Sequence, residues 1–308
     1  MKPLIVGTRG SALALAQSEM TEQALWYAFP DREIIRKVIS TTGDRRTDVP
    51  LSQVAKSEGV LDKGVFTKEL ELALESGEID LAVHSMKDVP TVLADHFEIA
   101  GALERAPARD VLVCCAATCL EELPEGARVA TSSVRRQRQL QWIRPDLQIV
   151  DIRGNVPTRL RKLRESDDLD AVMLAEAGLV RLGYDLSGEL EEGLHAIVLD
   201  AGDFLPAAGQ GIVGFEIRKG DKQTRNYLET ITHTESMILL RAEREFLRLL
   251  DAGCHTPVGV HSWIEGKTLH MTARVFDEES ETDPAEAALS GKASKPEQVA
   301  RKLYKAVS

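Results

Sequence analysis

The chain has 308 residues, of which 43% are hydrophobic and 28% charged, with a formal net charge of −11 at pH 7. That length suggests two or three domains, and the composition is ordinary for a globular protein. No window approaches the ~18 uninterrupted apolar residues of a membrane span, and a strongly acidic balance disfavours a nucleic-acid binder.

The first residues run straight into LIVGTR, a continuous apolar strand of the kind buried in parallel sheets, with no signal-peptide hydrophobic region before it. Ser11 then caps a helix whose apolar positions include Leu13, Leu15 and Ala16. EIIRKVIS is the next strand. Residues 41–63 turn polar and lose any period, which predicts a lid or mobile loop. FTKELELALESG is an amphipathic helix closed by Gly77. Asp80 to Val83 is a strand, and His84 to Asp88 lie past its carboxyl end before Pro90. Lys87 beside Asp88 reads either as a surface ion pair, worth little, or as a catalytic carboxylate held near cations.

A turn-rich segment, Arg105-Ala-Pro-Ala-Arg-Asp110, then predicts a crossing between domains. Of the four cysteines, Cys114, Cys115 and Cys119 lie on or after the apolar run VLVCCAA. They lack disulfide or zinc spacing and read as packed core thiols in a reducing compartment. From Arg128 to Arg164 the chain holds ten Lys or Arg against Asp146 and Asp151, a local +8, so the remainder carries −19. Such an island marks a local anion site. Two strand–turn–helix units build it, with Thr131, Ser132 and Ser133 at one helix start and Arg153-Gly154-Asn155 at the other. Arg135, Arg136, Arg153 and Arg159 thus fall at or just past strand carboxyl ends, where open α/β sheets bind ligands. Helix N-termini add donors there, and arginine forks suit carboxylates. Arg138, Arg161, Lys162 and Arg164 read equally well as solvated helix surface.

DAVMLAEAGLVRLG repeats strand then helix, residues 184–195 form an acidic surface excursion, and HAIVLD is a strand. FLPAAGQGIVGFEIR predicts the return crossing, with Pro206, Gly209 and Gly211 before an apolar strand. Thr234 to Leu250 is a long amphipathic helix. Cys254 follows in a turn, either as a small buried residue or as a loop nucleophile or attachment point. VGVHSWIEG and KTLHMTARVFD form a hairpin around Glu265-Gly266-Lys267. EAALSGKA is a third strand and PEQVARKLYKAV a closing helix.

Seven ordered motifs, spanning essentially the whole chain, make it resemble the porphobilinogen deaminase (hydroxymethylbilane synthase) family. They are Thr8-Arg9-Gly10-Ser11; Lys63-Gly64-Val65-Phe66 with Lys68-Glu69-Leu70; His84-Ser85-Met86-Lys87-Asp88-Val89-Pro90; Thr131-Ser132-Ser133-Val134-Arg135-Arg136-Gln137; Arg153-Gly154-Asn155 with Thr158-Arg159-Leu160; Pro206-Ala207-Ala208-Gly209-Gln210-Gly211; and Gly253-Cys254 with Pro257. The resemblance implies an α/β fold of two periplasmic-binding-protein-like, doubly wound domains joined by two crossovers. A small α+β C-terminal domain, a three-stranded antiparallel sheet with helices, follows. The boundaries expected are 1–104 with 208–228, then 105–207, then 229–308. The active site is implied in the cleft between the first two domains.

The same resemblance implies a transferase of tetrapyrrole biosynthesis. It joins four porphobilinogen units head to tail with loss of ammonia, on a dipyrromethane cofactor bound by a thioether to Cys254, and water releases the linear product. Asp88 maps to the catalytic carboxylate. Ser85, Lys87, Asp88, Thr131, Ser132, Ser133, Arg135 and Arg136 map to cofactor contacts. Arg9, Ser11, Gln17, Lys63, Phe66, Arg153, Arg159 and Gln210 map to substrate contacts. No metal, nucleic-acid or membrane partner is implied. The expected protein is a cytoplasmic monomer, or an organelle-stroma one if a targeting segment has been removed. The chain departs from the family at Ala252, where a second glycine is usual before the cysteine, and in a longer run between Tyr184 and His195.

Overall fold

The computed structural model describes residues 2–45, 64–115, 117–191, 193–251, 256–277 and 283–308. Its contacts divide the chain into two compact units, Met1–Ala106 with Ile212–Arg241, and Pro107–Gly211 with Ala242–Ser308. In chain order the first unit opens with β1 (Leu4–Arg9), α1 (Ala12–Ala28), β2 (Ile34–Ile39), α2 (Thr42–Arg45), α3 (Gly64–Glu75), β3 (Leu81–Ser85) and β4 (Phe97–Ala102). The second supplies β5 (Asp110–Cys114), β6 (Arg128–Ala130), α4 (Val134–Ile143), β7 (Gln148–Val150), α5 (Val156–Glu165), β8 (Ala171–Ala175), α6 (Glu176–Arg181), β9 (Glu189–Glu191) and β10 (Leu194–Val198). The chain then returns through β11 (Val213–Arg218), α7 (Lys222–Ile231) and α8 (Thr234–Leu249), and closes with β12 (Val258–Glu265), β13 (Thr268–Val275), β14 (Ala285–Lys292) and α9 (Pro296–Val307).

In unit 1 the strand order is β2-β1-β3-β11-β4. β1, β2 and β3 run parallel, and β11 lies antiparallel to β3 and β4. The period of two explains why β1 and β3 each open with an uninterrupted apolar run, Leu4–Val6 and Leu81–Val83. Leu4, Val6, Leu81 and Val83 enter one core with Leu25 of α1 and Leu228 of α7. Ile5 and Ala82 enter another with Leu70 and Leu74 of α3. A sheet covered on both faces gains about 1.5–3 kcal/mol from each large apolar side chain it fully buries, whichever face that side chain points to.

Unit 2 repeats the plan as β7-β6-β8-β5-β10-β9. β6, β7 and β8 are parallel, and β5 is antiparallel to β8 and β10. Leu112, Val129 and Met173 face α4 through Leu140, while Val111, Val113, Val172 and Leu174 face α5 through Leu160 and Leu163. In each sheet the strand that follows a unit boundary, β5 or β11, sits antiparallel beside the third parallel strand. This is the doubly wound arrangement expected from sequence. The remaining sheet is the antiparallel β12-β13-β14, with the hairpin at Gly266 (φ 61°). α9 covers one face through Val299, Ala300 and Leu303. Gly291 permits that approach, because a Cβ there would lie 2.6 Å from Val299 Cγ2.

Three local expectations change. β3 continues through Ser85, so His84 is inside the strand rather than beyond it, opposite Gly214 of β11. The 184–195 segment contains β9, an edge strand on β10. Of the three clustered cysteines only Cys114 is a buried core thiol; Cys115 is exposed and Cys119 half-buried, because β5 ends at Cys114 and the chain turns outward. Among the described residues, no helix is long and apolar enough to cross a membrane, and no cluster of His, Cys, Asp or Glu is arranged for a metal.

A buried pair sits under the end of β3, with His84 Nε2 2.9 Å from Glu216 Oε2. Burial pushes the carboxyl of Glu71 on α3 up, Glu216 adds to the effect, and Thr67 and His84 oppose it. A carboxyl raised in the folded state stabilises most below its unfolded pKa, and that contribution disappears as pH rises through the folded value. Melting curves of wild type and Glu71→Gln between about pH 4 and pH 7 should therefore show the glutamine variant gaining relative stability as pH rises. A gap that does not change with pH would contradict the burial effect.

Candidate active site

In unit 1 the loops leaving β1 and β3 gather polar side chains at the carboxyl edge of the parallel strands. Arg9 ends β1 and places its guanidinium 4.2 Å from the centroid of the Phe66 ring on α3, within cation–π range. Ser11 caps α1, its hydroxyl accepting the Ala14 N–H at 3.3 Å. Buried Gln17 on α1 exchanges two hydrogen bonds with Ser85, Nε2 to Oγ at 2.8 Å and Oγ to Oε1 at 3.1 Å.

Beyond Ser85 the chain makes a 3₁₀ turn, Met86–Asp88. Its anchor is Met86, 2% exposed, whose N–H donates to Ile212 O at 3.0 Å. Gly214 makes room for that side chain, since a Cβ there would lie 2.7 Å from Met86 Cγ and closer still to its sulfur. Lys87 and Asp88 are half-buried. Among the described residues the Asp88 carboxylate has no hydrogen-bond or ion-pair partner, so it does not form the surface pair with Lys87 that the sequence allowed. A fixed turn thus presents an uncommitted carboxylate past the end of a parallel strand.

In unit 2 the corresponding edge is basic. Arg135 and Arg136, in the first turn of α4, are only 6% and 5% exposed. Both grip Asp110, the fully buried first residue of β5. Arg135 Nη1 lies 2.6 Å from Oδ2 and Nη2 3.2 Å from Oδ1. Arg136 Nε and Nη2 reach Oδ1 at 2.9 and 2.6 Å. Further bonds run from Arg135 to Leu205 O at 2.7 Å and from Arg136 to Met173 O at 2.9 Å. Arg135 Nε is buried with no partner among the described residues. Burial alone pushes the Asp110 carboxyl up. The charges and hydrogen bonds of the two arginines outweigh that and hold it well below the usual carboxylate range.

Gln210, 1% exposed, also points into this cluster, with Nε2 2.7 Å from Ala108 O and 3.2 Å from Asp110 Oδ1. Thr131 Oγ1 accepts the Ser133 N–H at 3.2 Å, and Ser132 Oγ donates to Ile152 O at 2.5 Å. Ser133 takes the N-cap position of α4 without a side-chain capping bond. Arg153 and Arg159 are half-buried after β7, and Arg159 Nε donates to Gly154 O at 2.8 Å. Gly154 has φ 120°, which favours glycine. Arg161, Lys162 and Arg164 are exposed helix surface, while Arg138 stacks 5.8 Å over Phe276. Lys63 and Cys254 lie outside the described residues, as does most of the expected lid.

Sequence reasoning missed Asp110, Glu216 and their buried partnerships. Each is a lone acid beside or within an apolar strand, DVLVC and VGFEIR. Such an acid needs a cation or a proton when buried, and that was the available signal.

Comparison with known proteins gives a consistent result. Residues 4–226 match the family "Porphobilinogen deaminase, dipyromethane cofactor binding domain", and residues 237–307 match "Porphobilinogen deaminase, C-terminal domain". A porphobilinogen deaminase of Chlorobium luteolum is 45% identical over 275 residues, 89% of this chain and 83% of that protein. One from Syntrophobacter fumaroxidans is 41% identical over 298 residues, 97% of this chain and 90% of that protein. Among solved structures, the periplasmic aliphatic sulphonate binding protein SsuA from Escherichia coli aligns over 80% of this chain and 71% of its own, at 16% identity and a TM-score of 0.44. The fold described above rests on the two strand orders rather than on that distant likeness.

The tight seat of Met86 makes Gly214 critical to the turn that carries Asp88. Gly214→Ala should lower stability by about 1–3 kcal/mol, as overpacking does, read as a reduced denaturation midpoint. An unchanged midpoint would mean that Met86 moves aside without loss.

Proposed function

Because this chain belongs to the porphobilinogen deaminase family, we propose that it joins four porphobilinogen units head to tail with Asp88 as the catalytic carboxylate and Cys254 as the attachment point of its cofactor. The observation that carries this reading is the half-buried Asp88 carboxylate, which has no partner among the described residues at the end of β3. Loss of ammonia from the aminomethyl group of porphobilinogen leaves an electron-poor methylene-pyrrolenine. An ionised carboxylate held beside it lowers the energy of the developing positive charge. The same carboxylate accepts the proton released when the new carbon–carbon bond forms. Its lack of a structural partner leaves both roles open to it.

Bound by a thioether to Cys254, dipyrromethane supplies the nucleophilic pyrrole carbon on which the chain is started. The residues of unit 2 suit such a group. A pyrrole bearing carboxylates needs fixed cationic donors, and Arg135 keeps one buried N–H without a partner among the described residues while Ser133 keeps its hydroxyl out of the helix cap. Arg135, Arg136, Thr131, Ser132 and Ser133 would hold the cofactor from this unit, and Ser85, Lys87 and Asp88 from unit 1. Each porphobilinogen adds two carboxylates, so the growing product is strongly anionic. Arg9, Arg153 and Arg159 supply further guanidiniums for it, with Ser11, Gln17, Lys63, Phe66 and Gln210 as the other substrate contacts. The domain limits proposed are 1–104 with 208–228, 105–207 and 229–308, in a cytoplasmic monomer.

Two measurements test the assignment. Intact-mass spectrometry should find the purified protein heavier than its sequence by two linked pyrroles, and Cys254→Ser should lack that mass. Active protein at the bare sequence mass would remove the covalent cofactor. Asp88→Asn should retain the fold and the adduct, yet lose about 10²–10⁴-fold in kcat, the usual span for a missing acid–base group. A near-normal kcat would take Asp88 out of the chemistry.

A further inference from the structure

We infer that Asp110 is the positioning residue of the Arg135–Arg136 pair, and that its charge fixes the two guanidiniums in the orientation that receives a ligand carboxylate. This rests on the reading of Arg135 and Arg136 as cofactor contacts. Both side chains are long, and at the surface each would sample many rotamers. Here one carboxylate fixes both. It is fully buried, receives two donors from Arg135 and two from Arg136, and a fifth from Gln210 Nε2 at 3.2 Å. Carbonyl oxygens of Leu205 and Met173 take further Nη1 bonds from Arg135 and Arg136.

After these bonds Arg135 Nε remains buried without a partner among the described residues. A buried charged N–H without an acceptor is costly, and a ligand carboxylate is the group that would complete it. The Asp110 carboxyl stays ionised across the working pH range, since the arginine charges outweigh its burial. Its position is also fixed by the chain. It opens β5, two residues after Ala108, whose carbonyl accepts Gln210 Nε2 at 2.7 Å.

The test compares Asp110→Asn, Asp110→Glu, Arg135→Gln and Arg136→Gln with wild type, each purified as folded full-length protein by size exclusion. Intact mass gives the fraction carrying the two-pyrrole adduct per folded molecule. Nitrogen-15 NMR reports the Arg135 Nε–H. Asp110→Asn should lower the loaded fraction at least ten-fold and shift or broaden the Arg135 Nε–H signal. Asp110→Glu keeps the buried charge but displaces the carboxylate by one methylene, so it should fold even if the asparagine variant does not, and should load several-fold less than wild type.

Normal loading in either Asp110 variant, with the arginine variants unloaded, would overturn the positioning role and leave the arginines as cofactor ligands. Normal loading in Arg135→Gln and Arg136→Gln would instead overturn the cofactor reading itself. Reduced stability with unchanged loading per folded molecule would make Asp110 a purely structural residue and would also overturn the inference.

Discussion

One buried carboxylate organises unit 2. Taking Asp110 out of water would be prohibitive on its own, and so would taking out either guanidinium. The three are buried together because each completes the hydrogen bonding of another. The same set draws together β5, the first turn of α4, the carbonyl of Met173 on β8, and the segment from Leu205 to Gln210. Such a cluster adds little net stability compared with apolar packing. It does impose one geometry, since losing any member strands a buried charge.

Unit 1 solves the same problem with the opposite outcome at its edge. Its buried hydrogen-bonded pair, His84 with Glu216, joins neighbouring strands β3 and β11. Just beyond it the 3₁₀ turn is pinned through Met86, and there Asp88 has no partner among the described residues. In both units the polar groups stand at the carboxyl ends of parallel strands. Loops leave the sheet there, and the helices that follow turn N–H groups and positive dipole ends toward it. At that edge unit 1 carries the Asp88 carboxylate and unit 2 the guanidiniums of Arg135 and Arg136.

A polyanionic product and a cationic intermediate make opposite electrostatic demands. An arginine array that attracts carboxylates would repel a methylene-pyrrolenine cation unless a negative group stood close to it. As the proposed catalytic carboxylate, Asp88 suits that demand, having no ion-pair partner among the described residues. Asp110 meets a different one, restraining two arginines that would otherwise be mobile. These two aspartates play opposite parts. One is valuable because it has no partner among the described residues, the other because its two oxygens receive five hydrogen bonds from Arg135, Arg136 and Gln210.

Much of this was readable in the sequence. The strand LIVGTR, the Ser11 cap, the hairpin at Gly266 and the closing helix follow from periods of two and 3.6 and from turn residues, all of which act over a few positions. The placement of Asp88, Arg135 and Arg136 at strand ends was legible for the same reason. What the tertiary structure alone decided is which groups meet. Asp110 and Arg135 are 25 residues apart, and Gln210 lies 100 residues from Asp110. Their contact depends on β5 lying against β8 and on the chain returning past it. His84 finds Glu216 at a separation of 132 residues because β11 inserts beside β3. Local pattern determines which side chains reach the edge of a sheet, but strand order determines their partners. Whether an arginine is solvated or buried, and whether an aspartate is committed or available, is therefore settled by long-range packing, which no short-range periodicity encodes.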